Sequence, residues 1–284
     1  MTKVIPLILA SACLATPALA DEFVQDTRGV FLHGTYVVDT FGRAIPLQLD
    51  GKWMGIRSFS ERKYLFTFDA NAGFSGAYGG NSSERFVLLG GNARGLGELG
   101  LRLMNESDHS LYLGGTALFV GSAAAVVGLP PDQYDQKNSL AGLAGLNGVG
   151  ALRANVGLST LHDTYAFLGT VFLGGSLRRP GSAQAGPLYF DVGARAQFDI
   201  VRSFTATLEG SWGTTFGHPD PVFGVTNTGT RYELVLTVRK MLGPIWLELD
   251  GQLHGTANQT SGPNAYLTAT PTFVSAGLAL GVSL

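Results

Sequence analysis

Residues 188–200 read LYFDVGARAQFDI, and their alternation decides the fold. Leu188, Phe190, Val192, Ala194, Ala196, Phe198 and Ile200 are apolar, while Tyr189, Asp191, Arg195, Gln197 and Asp199 fall between them. Successive side chains of a strand point to opposite faces, so this stretch has one apolar and one charged face. The same period of two returns in RYELVLTVRK, where Tyr232, Leu234, Leu236 and Val238 alternate with Arg231, Glu233, Thr237 and Arg239. It returns again in IWLELDGQLH, where Ile245, Leu247, Leu249 and Leu253 alternate with Glu248, Asp250, Gln252 and His254. Repeated strands of about ten residues separated by turn formers are the pattern of a closed transmembrane β-barrel.

The first twenty residues read as a secretory signal peptide. Lys3 supplies the positive start, Val4 to Leu14 the apolar stretch, and Ala18-Leu19-Ala20 the cleavage site before Asp21-Glu22. A lipoprotein signal at Ala10-Ser11-Ala12-Cys13 is disfavoured, because Ala10 stands where a larger aliphatic is usual. Cys13 is the only cysteine, so the processed chain has no disulfide, no thiol nucleophile and no cysteine metal ligand. Loss of Lys3 takes the formal charge from -2 to -3, too mild a balance to suggest nucleic acid or a polybasic membrane patch.

Only 14% of the 284 residues are charged and the mean hydropathy is +0.19. Beyond the signal there is no apolar run long enough for a spanning helix. In lipid such a chain satisfies its backbone by closing a sheet on itself. The 40 glycines suit strands that bend and pack closely.

The pattern predicts about ten strands, within a range of eight to twelve, between Tyr64 and Leu284. Every second link is short, at 105–110, 161–164, 201–203 and 241–244, whereas 129–148, 178–186 and 217–229 are long and rich in turn formers. Short periplasmic turns alternating with long outer loops place both termini in the periplasm. The expected organisation is therefore a signal peptide at 1–20, a periplasmic or luminal segment at 21–62 and an all-β, antiparallel barrel at 63–284. Residues 21–62 could instead add a hairpin around Phe41-Gly42-Arg43, but the link that would follow is long for a periplasmic turn.

Strand parity assigns the two faces. With Ile200 facing lipid, the turn at 201–203 pairs it with Phe204, so Ala206, Leu208 and Trp212 face lipid and Glu209 comes opposite Arg195. The same parity turns Arg94, Glu98, Arg102, Arg153, Asp191, Arg195, Asp199, Glu209, Arg231, Glu233, Arg239, Glu248 and Asp250 towards the lumen. Trp212, Tyr232 and Tyr266 fall on the outward parity near the long loops, as an aromatic girdle at the lipid interface requires.

The final residues, VSAGLALGVSL, alternate through Val274, Ala276, Leu278, Leu280, Val282 and Leu284. From Tyr64 to Leu284 the chain resembles bacterial outer-membrane β-barrel proteins, whose last strand ends the polypeptide and commonly closes on an aromatic residue. Leu284 departs from that ending. The resemblance implies a Gram-negative outer membrane as location, with its lipid and the barrel-assembly machinery as partners.

No catalytic constellation assembles. His109 and Ser110 follow Asp108, but neighbours in a strand or turn point in different directions, and a serine nucleophile needs its base within hydrogen-bond reach. His33, His162, His218 and His254 lack a second histidine at ligand spacing, and no metal or cofactor is expected. The sequence therefore points to a porin-like narrow channel for small hydrophilic solutes or to a structural surface protein. A membrane-embedded hydrolase and a secreted ligand-binding β-sandwich are the alternatives.

Overall fold

A computed structural model of the chain describes residues 24–39, 43–80, 85–103, 109–127, 145–179, 188–201, 203–215, 218–220, 225–261 and 273–283. Its strands are β1 (Val24–Asp39), β2 (Arg43–Phe59), β3 (Tyr64–Gly80), β4 (Arg85–Arg102), β5 (His109–Val127), β6 (Gly145–Leu161) and β7 (Tyr165–Arg179). They continue as β8 (Leu188–Ile200), β9 (Phe204–Thr215), β10 (His218–Asp220), β11 (Val225–Leu242), β12 (Ile245–Ser261) and β13 (Phe273–Ser283). All pairings are antiparallel between neighbours, β9 pairs β11, and β13 pairs β1, which closes the ring. β10 is a three-residue addition to the loop-side end of β11, so the wall itself has twelve strands.

Two of the twelve come from the stretch expected to lie in the periplasm or lumen. β1 pairs with both β13 and β2, and β2 pairs with β3 along its whole length, so residues 24–59 are wall rather than plug. The supposed long link is a short turn. β2 runs on to Phe59, and only Ser60, Glu61, Arg62 and Lys63 connect it to β3. Ser60, Glu61 and Arg62 hold φ values of 55°, 57° and 60°, a left-handed run that costs about 1–2 kcal/mol per residue without compensation. Arg62 supplies some of it, donating across the barrel mouth to Leu161 O at 2.9 Å and pairing with Asp163 at 2.6 Å.

Register fixes the shape. Followed from Phe59 through Tyr64, Leu101, Leu113, Val156, Val171, Ala194, Gly210, Leu234, Leu253, Val274 and Val38, the pairings return to β2 at Arg43, sixteen residues from the start. A shear of sixteen over twelve strands tilts each strand by about 45° to the barrel axis. All the way round this path the side chains point outward. Leu113, Val171, Leu234, Leu253, Val274 and Val38 are exposed, and with Leu49, Leu152, Leu208, Leu236, Leu249 and Leu278 they form an apolar outer belt. A contiguous belt of this kind matches hydrocarbon, not water.

Candidate functional site: the luminal floor and its ion pairs

At the short-turn end the lumen is filled by apolar side chains. Ile56 of β2, Leu65 of β3, Tyr112 of β5, Leu161 of β6 and Ala166 and Leu168 of β7 form one buried cluster. Phe31, Trp246 and Ala279, with Met241 against them, form a second on the side of β1 and β11–β13. Two of these rings fit because glycines face them. A β-carbon at Gly281 would overlap Phe31, and one at Gly100 or Gly157 would stand 2.9 Å from the Tyr112 ring. The Tyr112 hydroxyl bonds Thr170, and Arg102 Nε donates to Ser159 Oγ at 3.2 Å, tying the floor from β4 to β7.

Above this floor lies a layer of ion pairs that skip strands. Arg195 and Glu209 are opposite one another in register, as the turn length predicts. Their charged ends nevertheless go elsewhere: the Arg195 guanidinium reaches across the lumen to Glu98 and donates to Thr67 at 3.5 Å, while Glu209 takes Arg153 at 2.7 Å. Arg153 also lies with its guanidinium 4.1 Å from the Phe172 ring centre. Arg231 donates to both oxygens of Asp191, each at 2.7 Å, across the intervening β9. Lys52 on β2 meets Glu248 on β12 at 2.5 Å, and Glu248 is also held by Arg239 on β11, its neighbour in register. His33 Nε2 pairs with Asp250 Oδ2 at 2.9 Å over β13.

Glycine makes these reaches possible. Gly213 stands between Asp191 and Arg231 in the pairing, and Gly277 stands beside Asp250. A β-carbon at Gly213 would overlap Asp191 Oδ1, and one at Gly277 would overlap the Asp250 carboxylate. An empty position on the skipped strand leaves room for the charged ends of the residues on either side to meet over it. The pairs are desolvated, so each depends on its partner: removing one member leaves an isolated charge in a low-dielectric site.

The remaining luminal positions vary in burial. Glu98, Arg102, Asp191, Arg195, Asp199, Arg231, Arg239 and Glu248 are buried inside the barrel. Asp199 accepts from Gln197 at 2.8 Å, and Glu233 accepts from Gln252 at 2.6 Å. Arg94 is more open and lies 3.9 Å from Asp69. The alternation had no means of finding Lys52, His33 and Gly213, because their roles depend on which strand lies two places away.

On the outer face, Trp212 and Tyr232 are register partners and both are exposed, with Tyr36, Phe74, Tyr78 and Phe190 at comparable loop-side positions. Tyr266 lies outside the described residues. A second ring of aromatics, absent from the sequence reading, marks the short-turn end: Phe59 stacks on Tyr64 at 5.3 Å, and Phe198 contacts Tyr165 and Phe204, each at 6.4 Å. His109 donates to or accepts from Thr160 Oγ1 at 2.7 Å on the exposed side, while Ser110 is buried, so the two do not face each other. Asp108 lies outside the described residues. Among the described residues no three His, Cys, Asp or Glu side chains gather as a metal site.

No protein-family profile and no curated protein sequence matches the chain. Among solved structures it is similar to an outer-membrane channel from Pseudomonas putida F1, at 8% identity over 95% of this chain and 100% of that chain, with a TM-score of 0.48. It is also similar to the translocator domain of the autotransporter NalP from Neisseria meningitidis, at 8% identity over 99% of this chain and 94% of that chain, with a TM-score of 0.38. A third is the transport unit of the autotransporter AIDA-I from Escherichia coli, at 13% identity over 99% of this chain and 97% of that chain, with a TM-score of 0.37. At TM-scores below 0.5 these likenesses carry no argument, and the barrel rests on the strand pairings of the chain itself.

Proposed function

We propose that this chain is a Gram-negative outer-membrane barrel, termini in the periplasm, whose lumen is shut by its own side chains. It displays its long loops at the cell surface and conducts small hydrophilic solutes only narrowly and rarely. The observation that carries this reading is the buried floor of Ile56, Leu65, Tyr112, Leu161 and Leu168 beneath the Arg195–Glu98 crossbar. An open pore needs continuous water along its axis, and residues this well covered leave no room for it at that level. The inward carboxylates Glu98, Asp191, Glu209 and Glu248 are each held by a cation, which supports a structural part for them over acid–base chemistry.

Planar-bilayer recording of the purified mature protein tests this. Small, infrequent steps with little ion selectivity are expected, because opposed luminal charges cancel each other's field. The triple variant Tyr112→Ala/Glu98→Ala/Arg195→Ala should open longer and conduct severalfold more. A wild type that already conducts steadily, like an open pore, would sink the closed-lumen reading.

A further inference from the structure

Three luminal glycines share a setting, with a carboxylate beside them on one strand and a polar partner for it on the strand beyond. At Gly213 the two residues are Asp191 and Arg231. At Gly277 the acid is Asp250, and the cation that reaches it is His33 of β1. At Gly73 the acid is Asp50 of β2, but the residue facing it from β4 is Asn92. A β-carbon at Gly73 would overlap Asp50 Cβ, so this glycine admits its acid as the other two do. The strand beyond supplies an amide where the others supply a charge.

Asp50 is 1% exposed, and its Oδ2 accepts from Gln48 Nε2 and Asn71 Nδ2, each at 3.1 Å. Gln48 Nε2 also donates across β3 to Asn92 Oδ1 at 3.4 Å. Oδ1 of Asp50 is buried without a hydrogen-bond partner. Among the described residues the cations nearest in the fold serve other acids: Lys52 is held by Glu248, His33 by Asp250, and Arg94 lies 3.9 Å from Asp69. Two neutral amides do not compensate a buried carboxylate, whose charge calls for a cation.

We propose that Asp50, with Gln48, Asn71 and Asn92, binds a small monovalent metal cation, sodium or potassium, that enters the lumen from the long-loop side. One carboxylate balances one positive charge, whereas a divalent ion would leave the buried site charged. Carboxylate and amide oxygens are the hard donors such ions take. Access fits as well. Gln48, Asn71 and Asn92 are only partly buried, and Asp50 lies along β2 from the floor residue Ile56 towards the long-loop end. The cover over Asp50 favours a bare ion over an organic ammonium.

The test follows unfolding of the detergent-solubilised mature protein by heat-dependent gel mobility, at fixed pH and ionic strength, as sodium or potassium chloride replaces N-methylglucamine chloride. The wild-type midpoint should rise with alkali cation and saturate, as binding to the folded state requires. Asp50→Asn, of the same shape, should raise the half-saturating concentration about tenfold or more. Asn92→Lys tests the site without removing its acid: it places a tethered cation across Gly73, so it should abolish the alkali dependence and match, without alkali ions, the saturated wild type. Gln197→Ala on β8 should leave the dependence unchanged. Indifference of the wild type to alkali cations, or an undiminished dependence in Asp50→Asn and Asn92→Lys, would overturn the site. A midpoint that ignored alkali cations and rose only with acidity would assign Asp50 a proton and overturn it equally. Steady conductance of the wild type would sink the closed lumen and leave this site standing.

Discussion

The lower ends of β1–β2 and of β8–β9 build the same wall with opposite polarity. On β8–β9 the outward residues are Ile200, Phe198, Phe204 and Ala206, and the inward ones are Asp199, Gln197, Thr205 and Thr207. On β1–β2 the inward residues include Phe31, Met54 and Ile56, and the outward ones are Asp26, Arg28, Trp53 and Arg57. The inversion has a physical basis inside the barrel. Ile56 packs in one cluster with Leu168, which projects from β7 on the far wall, so the floor is apolar where those walls meet. A barrel this narrow is filled by whichever side chains touch across it, and the water-filled, polar-inside rule holds only for wider ones.

The comparison can be broken most completely by removing one of its members. Deletion of Val24–Phe59 should abolish the folded barrel in lipid vesicles, seen as loss of heat-dependent gel mobility, because β3 and β13 would then face lipid with unpaired edges. A stable, more conductive barrel would mean that these residues are a plug after all. Next in size, Gly213→Val should destabilise the fold by about 3–5 kcal/mol in urea titration, since it separates Arg231 from Asp191 and leaves a fully buried carboxylate without its cation.

Substitutions at single faces sharpen the contrast. Leu208→Arg, on the belt of β9, should cost about 2–4 kcal/mol if it lies near mid-bilayer. Ile56→Ala should cost a similar amount, about 2–4 kcal/mol, through the cavity left in the floor. The luminal position Gln197→Ala on β8 should cost only about 1 kcal/mol, the worth of its hydrogen bond to Asp199. Smallest of all, Arg57→Leu should change stability by about 1 kcal/mol or less, because the ion pair with Asp26 that it breaks is partly exposed. Refolding equilibria in urea, read on the same vesicles, check all four. If Arg57→Leu cost as much as Leu208→Arg, the outer patch would be a structural clamp.

Much of the fold was legible. LYFDVGARAQFDI marks β8 from end to end, the turn at 201–203 gives its register to β9, and the reading of antiparallel strands from Tyr64 onward matches the wall from β3 to β13. β1 and β2 were legible only in part: a hairpin around Phe41-Gly42-Arg43 could be read, but residues 51–62 looked like a link too long for a periplasmic turn, because the cue for a strand was alternation of one fixed sign. Their lower halves carry apolar residues inside and charges outside, which blurs that cue. Luminal pairing was out of reach for a different reason. Register between neighbours follows from turn length, so Arg195 opposite Glu209 could be derived, but the choice of Glu98 depends on how close the far wall comes. Closeness is set by the shear, a property of the whole ring.

Two of the skipped-strand contacts span the line where the first and last strands meet. Lys52–Glu248 and His33–Asp250 join residues 196 and 217 positions apart, and both cross the β1–β13 pairing. Neither can form in a sheet that is still open at that edge, whereas Asp191–Arg231 and Arg239–Glu248 can form on the growing sheet beforehand. An unclosed barrel therefore exposes Lys52 and His33 without their acids, and a chain that joined its ends in a shifted register would leave them beside the wrong neighbours. The two contacts therefore belong to the closed ring alone, and they are satisfied only in the register that pairs β1 with β13 as observed.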